Sequence, residues 1–228
     1  MGKPDIIYED SDIIVCYKPA GIATQTRRIG QQDMESFIRN YRAAKNELPY
    51  VGIVHRLDQP VEGVMVFAKN QKAAASLSRQ IKEHTTEKYY RAASRGQGVS
   101  GTDKEEDNHD PAWHTLTDYI SFDKRTNTSK ITSEKDRLAK KAVLQYRVIS
   151  VSPDRDSSQN ECIRTEFDIK LLTGRHHQIR LQLANIGYPL IGDTKYGGDT
   201  AREQLALCSY KIVFDHPATG ERMTFELP

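Results

Sequence analysis

The stretch His55-Arg56-Leu57-Asp58-Gln59-Pro60-Val61-Glu62-Gly63 places one acid two positions after an arginine, at the head of a Pro-x-x-Gly turn. Gly52-Ile53-Val54 precedes it and Val64-Met65-Val66-Phe67-Ala68 follows it. The second of these apolar runs reads as a buried strand. Asp and Pro are ordinary turn formers, so on local sequence Asp58 reads first as a turn residue. A lone carboxylate between two strands, with a cation close by, also fits a reactive group. The local pattern leaves both readings open.

A second polar run bears on the choice. Thr173-Gly174-Arg175-His176-His177-Gln178-Ile179-Arg180 crowds two arginines, two histidines and a glutamine into six residues. Apolar residues alternate at 179, 181 and 183, yet the run through Ala184 and Ile186 also suits a helix, so where an element begins is ambiguous. Gly187-Tyr188-Pro189 stops it. The bland reading is a solvated loop opening a helix. The sharper one is an anion site, because the planar guanidinium fork matches a carboxylate or a phosphate.

With 228 residues the chain can bury one good core, or a core with a small appendage. A net charge of +2 does not announce nucleic-acid binding, so any basic surface must be local. Cys16, Cys162 and Cys208 are far apart and form no CxxC pair, which argues against a zinc site and against a disulfide framework. Cys16 and Cys208 lie in apolar runs and read as buried thiols. No signal-peptide core opens the chain and no apolar run approaches a membrane span, so a soluble, cytoplasmic protein is expected.

Short strands are predicted over Ile6 to Tyr8, Ile13 to Tyr17, Lys88 to Ala93, Thr115 to Ser121, Ala142 to Val151, Cys162 to Leu172 and Lys211 to Phe214. Helices are predicted over Met34 to Ala44, with Phe37, Ile38 and Tyr41 on one side, and over Gln71 to Glu83, with Ala74, Leu77, Ser78 and Ile81 recurring. Gly96 to Pro111 reads as a surface loop, Asp123 to Lys141 as charged and solvated, and Ser152 to Asn160 as a hairpin connection. Many strands and few helices predict an α+β protein with a mixed, mostly antiparallel sheet and few flanking helices.

These motifs, taken in order, resemble one family. HRLDxxxxG is followed by Lys88-Tyr89-Tyr90-Arg91-Ala92, then TGRHHQIR, then Gly187-Tyr188-Pro189-Leu190-Ile191-Gly192-Asp193. The opening Ile7-Tyr8-Glu9-Asp10-Ser11-Asp12 leads to Lys18-Pro19-Ala20-Gly21, and the chain closes on Phe214-Asp215-His216-Pro217-Ala218-Thr219-Gly220-Glu221. The set resembles the RluA-type pseudouridine synthases over nearly the whole chain. The resemblance implies a single catalytic domain over 1–228, with a sheet split by a central catalytic cleft. It begins within the first ten residues, which leaves no room for the small N-terminal RNA-binding domain of some relatives.

The implied activity is isomerisation of specific uridines to pseudouridine in structured ribosomal or transfer RNA, without cofactor or metal. By resemblance Asp58 is the catalytic carboxylate, acting as nucleophile or as base. Tyr90, read from the motif as a strand aromatic otherwise, stacks on the uracil or moves a proton, and Tyr89 on the opposite strand face is its alternative. Arg180 matches the arginine that pairs with the catalytic aspartate and keeps it ionised. Arg56 helps to flip the uridine out of its stack. His55 holds the loop, Arg175 suits phosphate contact or loop structure, and Ile212 matches an apolar residue of the base pocket while also suiting the core. Arg27-Arg28, Arg79, Lys82 and Lys88 are candidate phosphate contacts. The partner is RNA, with no membrane and no obligate protein partner, and a monomer is the default.

Two positions depart from the family. Val61-Glu62 stand where small hydroxyl residues are usual, and Glu62 is expected to point to solvent or to pair with a local base. His176 stands where a small residue is usual. The His176-His177 pair hints at a metal, but adjacent histidines on an extended strand point apart and no acid or Cys cluster accompanies them. A catalytically silent RNA-binding protein on the same scaffold is the alternative reading. A hydrolase using Asp58 to activate water would want a paired second acid, for which Glu62 is the nearby candidate.

Overall fold

The computed structural model describes residues 3–26, 28, 30–96, 112–153, 163–197 and 203–228. The readings for 97–111 and 154–160, and those for Arg27 and Cys162, lie outside the described residues. Among the described residues there are eleven strands and three helices, an α+β fold with a mixed, mostly antiparallel pairing pattern. The chain divides into two compact units, one of residues 1–88 and 208–228 and one of residues 89–207.

The first unit holds β1 (Asp5–Glu9), β2 (Ile13–Lys18), α1 (Met34–Ala44), β3 (Gly52–Ile53), β4 (Glu62–Ala68), α2 (Gln71–Lys82) and β11 (Arg222–Glu226), with most of β10 (Leu207–Asp215). Its strands run in the order β1-β2-β4-β10-β11, with β3 also on β4. The β4–β10 pair is parallel and the others antiparallel. Val64, Val66 and Ala68 of β4 share a face with Ile13 and Val15 of β2 and with Ile212 and Phe214 of β10, and Ala73 and Leu77 of α2 close over them. Burial of each large apolar side chain there contributes about 1.5–3 kcal/mol.

Both helices start on side-chain caps. Asp33 accepts from the Ser36 amide at 2.7 Å while the Ser36 hydroxyl accepts from the Asp33 amide at 3.1 Å, a reciprocal capping box. Asn70 accepts from the Ala73 amide at 2.8 Å. The buried faces differ from the sequence reading. In α1 they are Met34, Ile38 and Arg42, and in α2 Ala73, Leu77 and Gln80, while Ser78 is exposed. Polar residues displace the expected apolar ones because they reach backbone: Arg42 donates to the Tyr50 and Lys69 carbonyls, and Gln80 bonds both the carbonyl and the amide of Asp215.

The second unit holds most of β5 (Glu87–Gly96), then β6 (His114–Asp123), β7 (Thr128–Thr132), β8 (Lys140–Pro153), β9 (Ile163–Leu171) and α3 (Gln178–Asn185). Its sheet order is β5-β9-β8-β6-β7 and every pair is antiparallel. β7 lies inside the segment expected to be charged and solvated. A hairpin closes through Asn127, whose φ of 52° is left-handed, and buries Ser129. The ambiguous run after Gly174 is a helix. Gln178, Ile179, Arg180, Gln182 and Leu183 are all buried, so α3 is covered on several sides and carries no clear apolar stripe for sequence to find.

Candidate active site

In the first unit Asp58 heads a turn closed by the Val61 amide on its carbonyl at 3.0 Å. The turn is fastened to the Lys18–Thr24 segment. Thr24 Oγ1 donates to the Leu57 carbonyl at 3.0 Å and accepts from the Leu57 amide at 3.2 Å. The Gly21 amide donates to the Gln59 carbonyl at 2.8 Å, and Gln59 Nε2 returns a bond to the Gly21 carbonyl at 3.0 Å. Lys18, with no exposed surface, donates its ammonium to the carbonyls of Pro19, Ile22 and Gln59 at 3.1, 2.6 and 3.2 Å. Burial pushes the Lys18 pKa down to about 8, against the opposing pull of Asp58 and Glu62. The two sequence motifs are thus one hydrogen-bonded object. Lys18 and Thr24, which sequence reasoning gave no role, are its fasteners.

Gly63 ends the motif at φ 136°, and a Cβ there would meet the Ser209 carbonyl oxygen at 2.3 Å. Only glycine lets β10 approach β4 at that point. His55 accepts the Val66 amide at Nε2, 3.1 Å away, and burial, reinforced by Lys88, drives its pKa down to about 3. The neutral imidazole is thereby bonded to β4. Arg56 is exposed and makes no hydrogen bond or ion pair among the described residues. Ile212 is buried in the core under α2, which is the core side of its two expected roles. Lys88 is half-buried and burial lowers its pKa, so it suits a surface phosphate contact less than the exposed Arg28, Arg79 and Lys82 do.

Glu62 makes a bond that the sequence reading did not include. Its Oε2 accepts the Tyr17 hydroxyl at 2.9 Å. Glu62 opens β4 and Tyr17 lies near the end of β2, on the neighbouring strand. Burial and this bond push the Tyr17 phenol up to about 12. Cys16 and Cys208 are held as thiols, at about 12 and about 11, mainly by burial.

In the second unit Arg180 is 5% exposed and grips Asp193, itself fully covered, through Nε to Oδ2 and Nη2 to Oδ1, both 2.7 Å. Asp193 Oδ1 also accepts the Lys195 and Tyr196 amides at 2.9 and 3.2 Å. Burial alone would raise the Asp193 pKa; Arg180 and these amides hold it below the usual range. The Tyr196 hydroxyl accepts the Ser129 amide at 2.9 Å and shares a proton with His177 Nδ1 at 2.9 Å. Burial, with Arg180, His176 and Lys195 nearby, holds His177 neutral, its pKa near 3. Tyr196 and Asp193 carried no sequence-derived role, because Arg180, His177 and Ser129 meet them only in the fold.

The histidine pair corrects the sequence reading. His177 adopts φ 55°, so the rings do not point apart but stack at 3.7 Å, and His176 Nδ1 bonds Ser129 Oγ at 3.0 Å. Arg175 donates through Nε to the Lys141 carbonyl at 2.8 Å, and its amide bonds Gln178 Oε1 at 3.0 Å, the loop-structure side of its two expected roles. Tyr90 is buried on β5 opposite Ile169, while Tyr89 on the other face lies opposite Lys170.

Among the described residues one cluster has the composition of a metal site: Asp10, Asp12 and His216, whose ligand atoms lie within 4.8 Å of one another. Its donor atoms are already hydrogen-bonded, those of Asp12 to Ser11 Oγ and Asn70 Nδ2. The Thr219 amide donates to His216 Nδ1 at 3.1 Å, so the imidazole proton sits on Nε2 and points at Asp10 Oδ2, 2.9 Å away. Asp10 Oδ1 takes the amides of Asp12 and Ile13. The cluster fastens two turns of the first unit together.

Residues 12–185 match the family model described as RNA pseudouridylate synthase. The Bacillus subtilis protein "Uncharacterized RNA pseudouridine synthase YhcT" is 33% identical over 229 residues, covering 100% of this chain and 69% of its own. "Ribosomal large subunit pseudouridine synthase D" of Neisseria meningitidis serogroup B is 30% identical over 241 residues, covering 98% of this chain and 58% of its own. This chain therefore spans 69% of the length of the first of those relatives and 58% of the second. The solved structure "Human RNA Pseudouridylate Synthase Domain Containing 1" superposes with a TM-score of 0.73 at 22% identity, over 99% of this chain and 83% of that one, a likeness of fold. The chain belongs to the RNA pseudouridylate synthase family, isomerases that act on RNA, and within it to the RluA type. Among the described residues no helix is long and apolar enough to cross a membrane.

Proposed function

We propose that this chain converts specific uridines of structured ribosomal or transfer RNA to pseudouridine, with Asp58 as the catalytic carboxylate. The bond between ribose and uracil breaks, the base turns, and a carbon–carbon bond forms in its place. Asp58 either attacks covalently or assists departure of uracil and removal of a sugar proton. The observation that carries the reading is the fastening of the Asp58 turn by Lys18, Thr24 and Gln59, a rigid mount for one carboxylate. A turn that only reversed the chain would not call for a buried ammonium and three further side-chain bonds.

The other roles follow the family motifs. Tyr90 serves the uracil, and Arg180 keeps the reacting carboxylate ionised. Arg56, exposed beside Asp58, helps to hold the flipped nucleotide. His55 and Arg175 are assigned to loop support, with Arg175 available to a phosphate, and Ile212 supports the sheet from within the core. The reaction needs no cofactor, and the enzyme works in the cytoplasm as a monomer without an obligate protein partner.

The test is pseudouridine mapping of total RNA from cells lacking the protein and from cells rescued with wild type or Asp58→Asn. A site lost on deletion and restored by wild type alone supports the reading. In vitro, Asp58→Asn should lower the rate by about 10²-fold or more. Equal rescue by both moves the catalytic role elsewhere. Release of free uracil points to hydrolysis, and no change at any site leaves a silent RNA-binding protein.

A further inference from the structure

Glu62 is the second acid of the Asp58 turn, and the proposed reaction leaves it without a task. At the head of that turn Leu57 is tied to Thr24, and Gln59 to Lys18 and Gly21. Its foot, where the chain enters β4, is supported in another way. The β2–β4 ladder runs from Ile13 opposite Ala68 to Lys18 opposite Gly63 and stops there. Pro19 comes next and has no amide to carry the ladder further. Glu62 therefore lies one residue beyond the last pair with β2. Its strand partner is Cys208 of β10, on the other side of β4.

On the β2 side a side-chain bond takes over from the ladder. Tyr17 lies opposite Val64, so Glu62, two residues earlier on β4, is its diagonal neighbour. Long side chains reach across that diagonal, and the Tyr17 hydroxyl donates to Glu62 Oε2 at 2.9 Å. Successive strand residues alternate in direction. β2 thus reaches the turn twice: Lys18 donates to the Gln59 carbonyl at 3.2 Å, before Pro60-Val61, and Tyr17 to the Glu62 carboxylate, after it. Burial and Glu62 push the Tyr17 phenol up to about 12, so it stays a donor throughout the range in which an enzyme works. Asp58 and Glu62 both oppose the fall in the Lys18 pKa, which places the two carboxylates around one ammonium.

The geometry points to Tyr17 and Glu62 as positioning residues for Asp58: their bond pins the foot of the turn, as Lys18 and Thr24 pin its head, and so sets where the carboxylate meets the uridine. A misplacement of about 1 Å at a reacting group costs up to ~10²-fold in rate. A turn pinned at its head alone keeps freedom of that kind at its foot. The inference rests on the role proposed above for Asp58 and adds two residues to its mount.

The test is a double-mutant cycle read in kcat and KM for pseudouridine formation, on RNA isolated from cells lacking the protein, with thermal melts to give the folded fraction. Tyr17→Phe and Glu62→Leu should each lower kcat by about 5- to 20-fold with KM for RNA unchanged. The double variant should lose no more than either single one. Glu62→Gln, whose amide oxygen still accepts the Tyr17 hydroxyl, should keep kcat within about 2-fold of wild type. A role in folding alone would lower Tm and leave kcat per folded molecule where it was. Tyr17→Phe with the kcat of wild type, losses that multiply in the double variant, or a Glu62→Gln loss as deep as that of Glu62→Leu each overturn the assignment. If Glu62→Leu does not fold, Tyr17→Phe and Glu62→Gln decide. Asp58→Asn is assayed alongside. An inactive Asp58→Asn beside a fully active Tyr17→Phe overturns the positioning pair and keeps the role of Asp58. Asp58→Asn as active as wild type overturns that role, and the pair then has nothing to position.

Discussion

Lys18 and Arg180 are both cations withdrawn from water, and each unit satisfies its own by different means. Lys18 rests on three backbone carbonyls, neutral acceptors that leave its proton removable, with a pKa near 8. Arg180 rests on a carboxylate in a two-pronged grip, and Asp193 is in turn fixed by two amides. A carbonyl cage fastens chain segments, because its acceptors lie on two stretches of backbone, Pro19 and Ile22 on one and Gln59 on the other. A carboxylate partner fixes the orientation of one side chain, because the fork admits a single geometry. The first unit uses its cation to hold the turn of Asp58, and the second uses an acid to aim Arg180.

The largest effect should come from breaking the second arrangement. Asp193→Asn leaves a buried guanidinium against a neutral partner and should cost about 3–5 kcal/mol in chemical denaturation. A loss under about 1 kcal/mol would mean that Arg180 finds another acceptor and that the two cations are less different than the geometry says.

Lys18→Met should cost less, about 1–3 kcal/mol, since it strands carbonyls but also removes a buried charge. Its pH dependence separates the two cations. The folded pKa of about 8 lies below the ordinary 10.5, so between those values the unfolded chain holds a proton that the folded chain has released. Stability from this group therefore rises with pH across that window and is penalised below it. The Lys18→Met curve should be flatter there than wild type. Parallel curves would show that the ammonium is not depressed.

Tyr196→Phe should have the smallest effect, about 1–2 kcal/mol in thermal or urea unfolding, by stranding the Ser129 amide and His177 Nδ1. An unchanged midpoint would remove Tyr196 from the support of the Arg180 segment.

Much of the fold was legible because its signals are local. The apolar run Val64 to Ala68, the helical spacing in α1 and α2 and the Pro60–Gly63 turn all act within a few residues. β7 was not, because charged neighbours mask its short alternation and its partner β6 supplies the pairing. The start of α3 was not, because a helix buried on several sides has no stripe and its His177 cap is left-handed. The roles proposed for Asp58, Tyr90 and Arg180 come from motif order alone. What each of them touches was not legible there.

The sequence by itself determined the family, the order of the motifs and the residue types able to do acid–base chemistry on RNA. Those follow from identities at fixed positions, which the chain carries whether or not it is folded. Only the tertiary structure decided that Lys18 and Thr24 fasten the Asp58 turn, that Asp193 grips Arg180, that Glu62 bonds Tyr17, and that the two histidines stack. The stack follows from the left-handed backbone of His177, and the others join side chains to groups elsewhere in the chain, since hydrogen bonds act over about 3 Å of space whatever the separation along the chain.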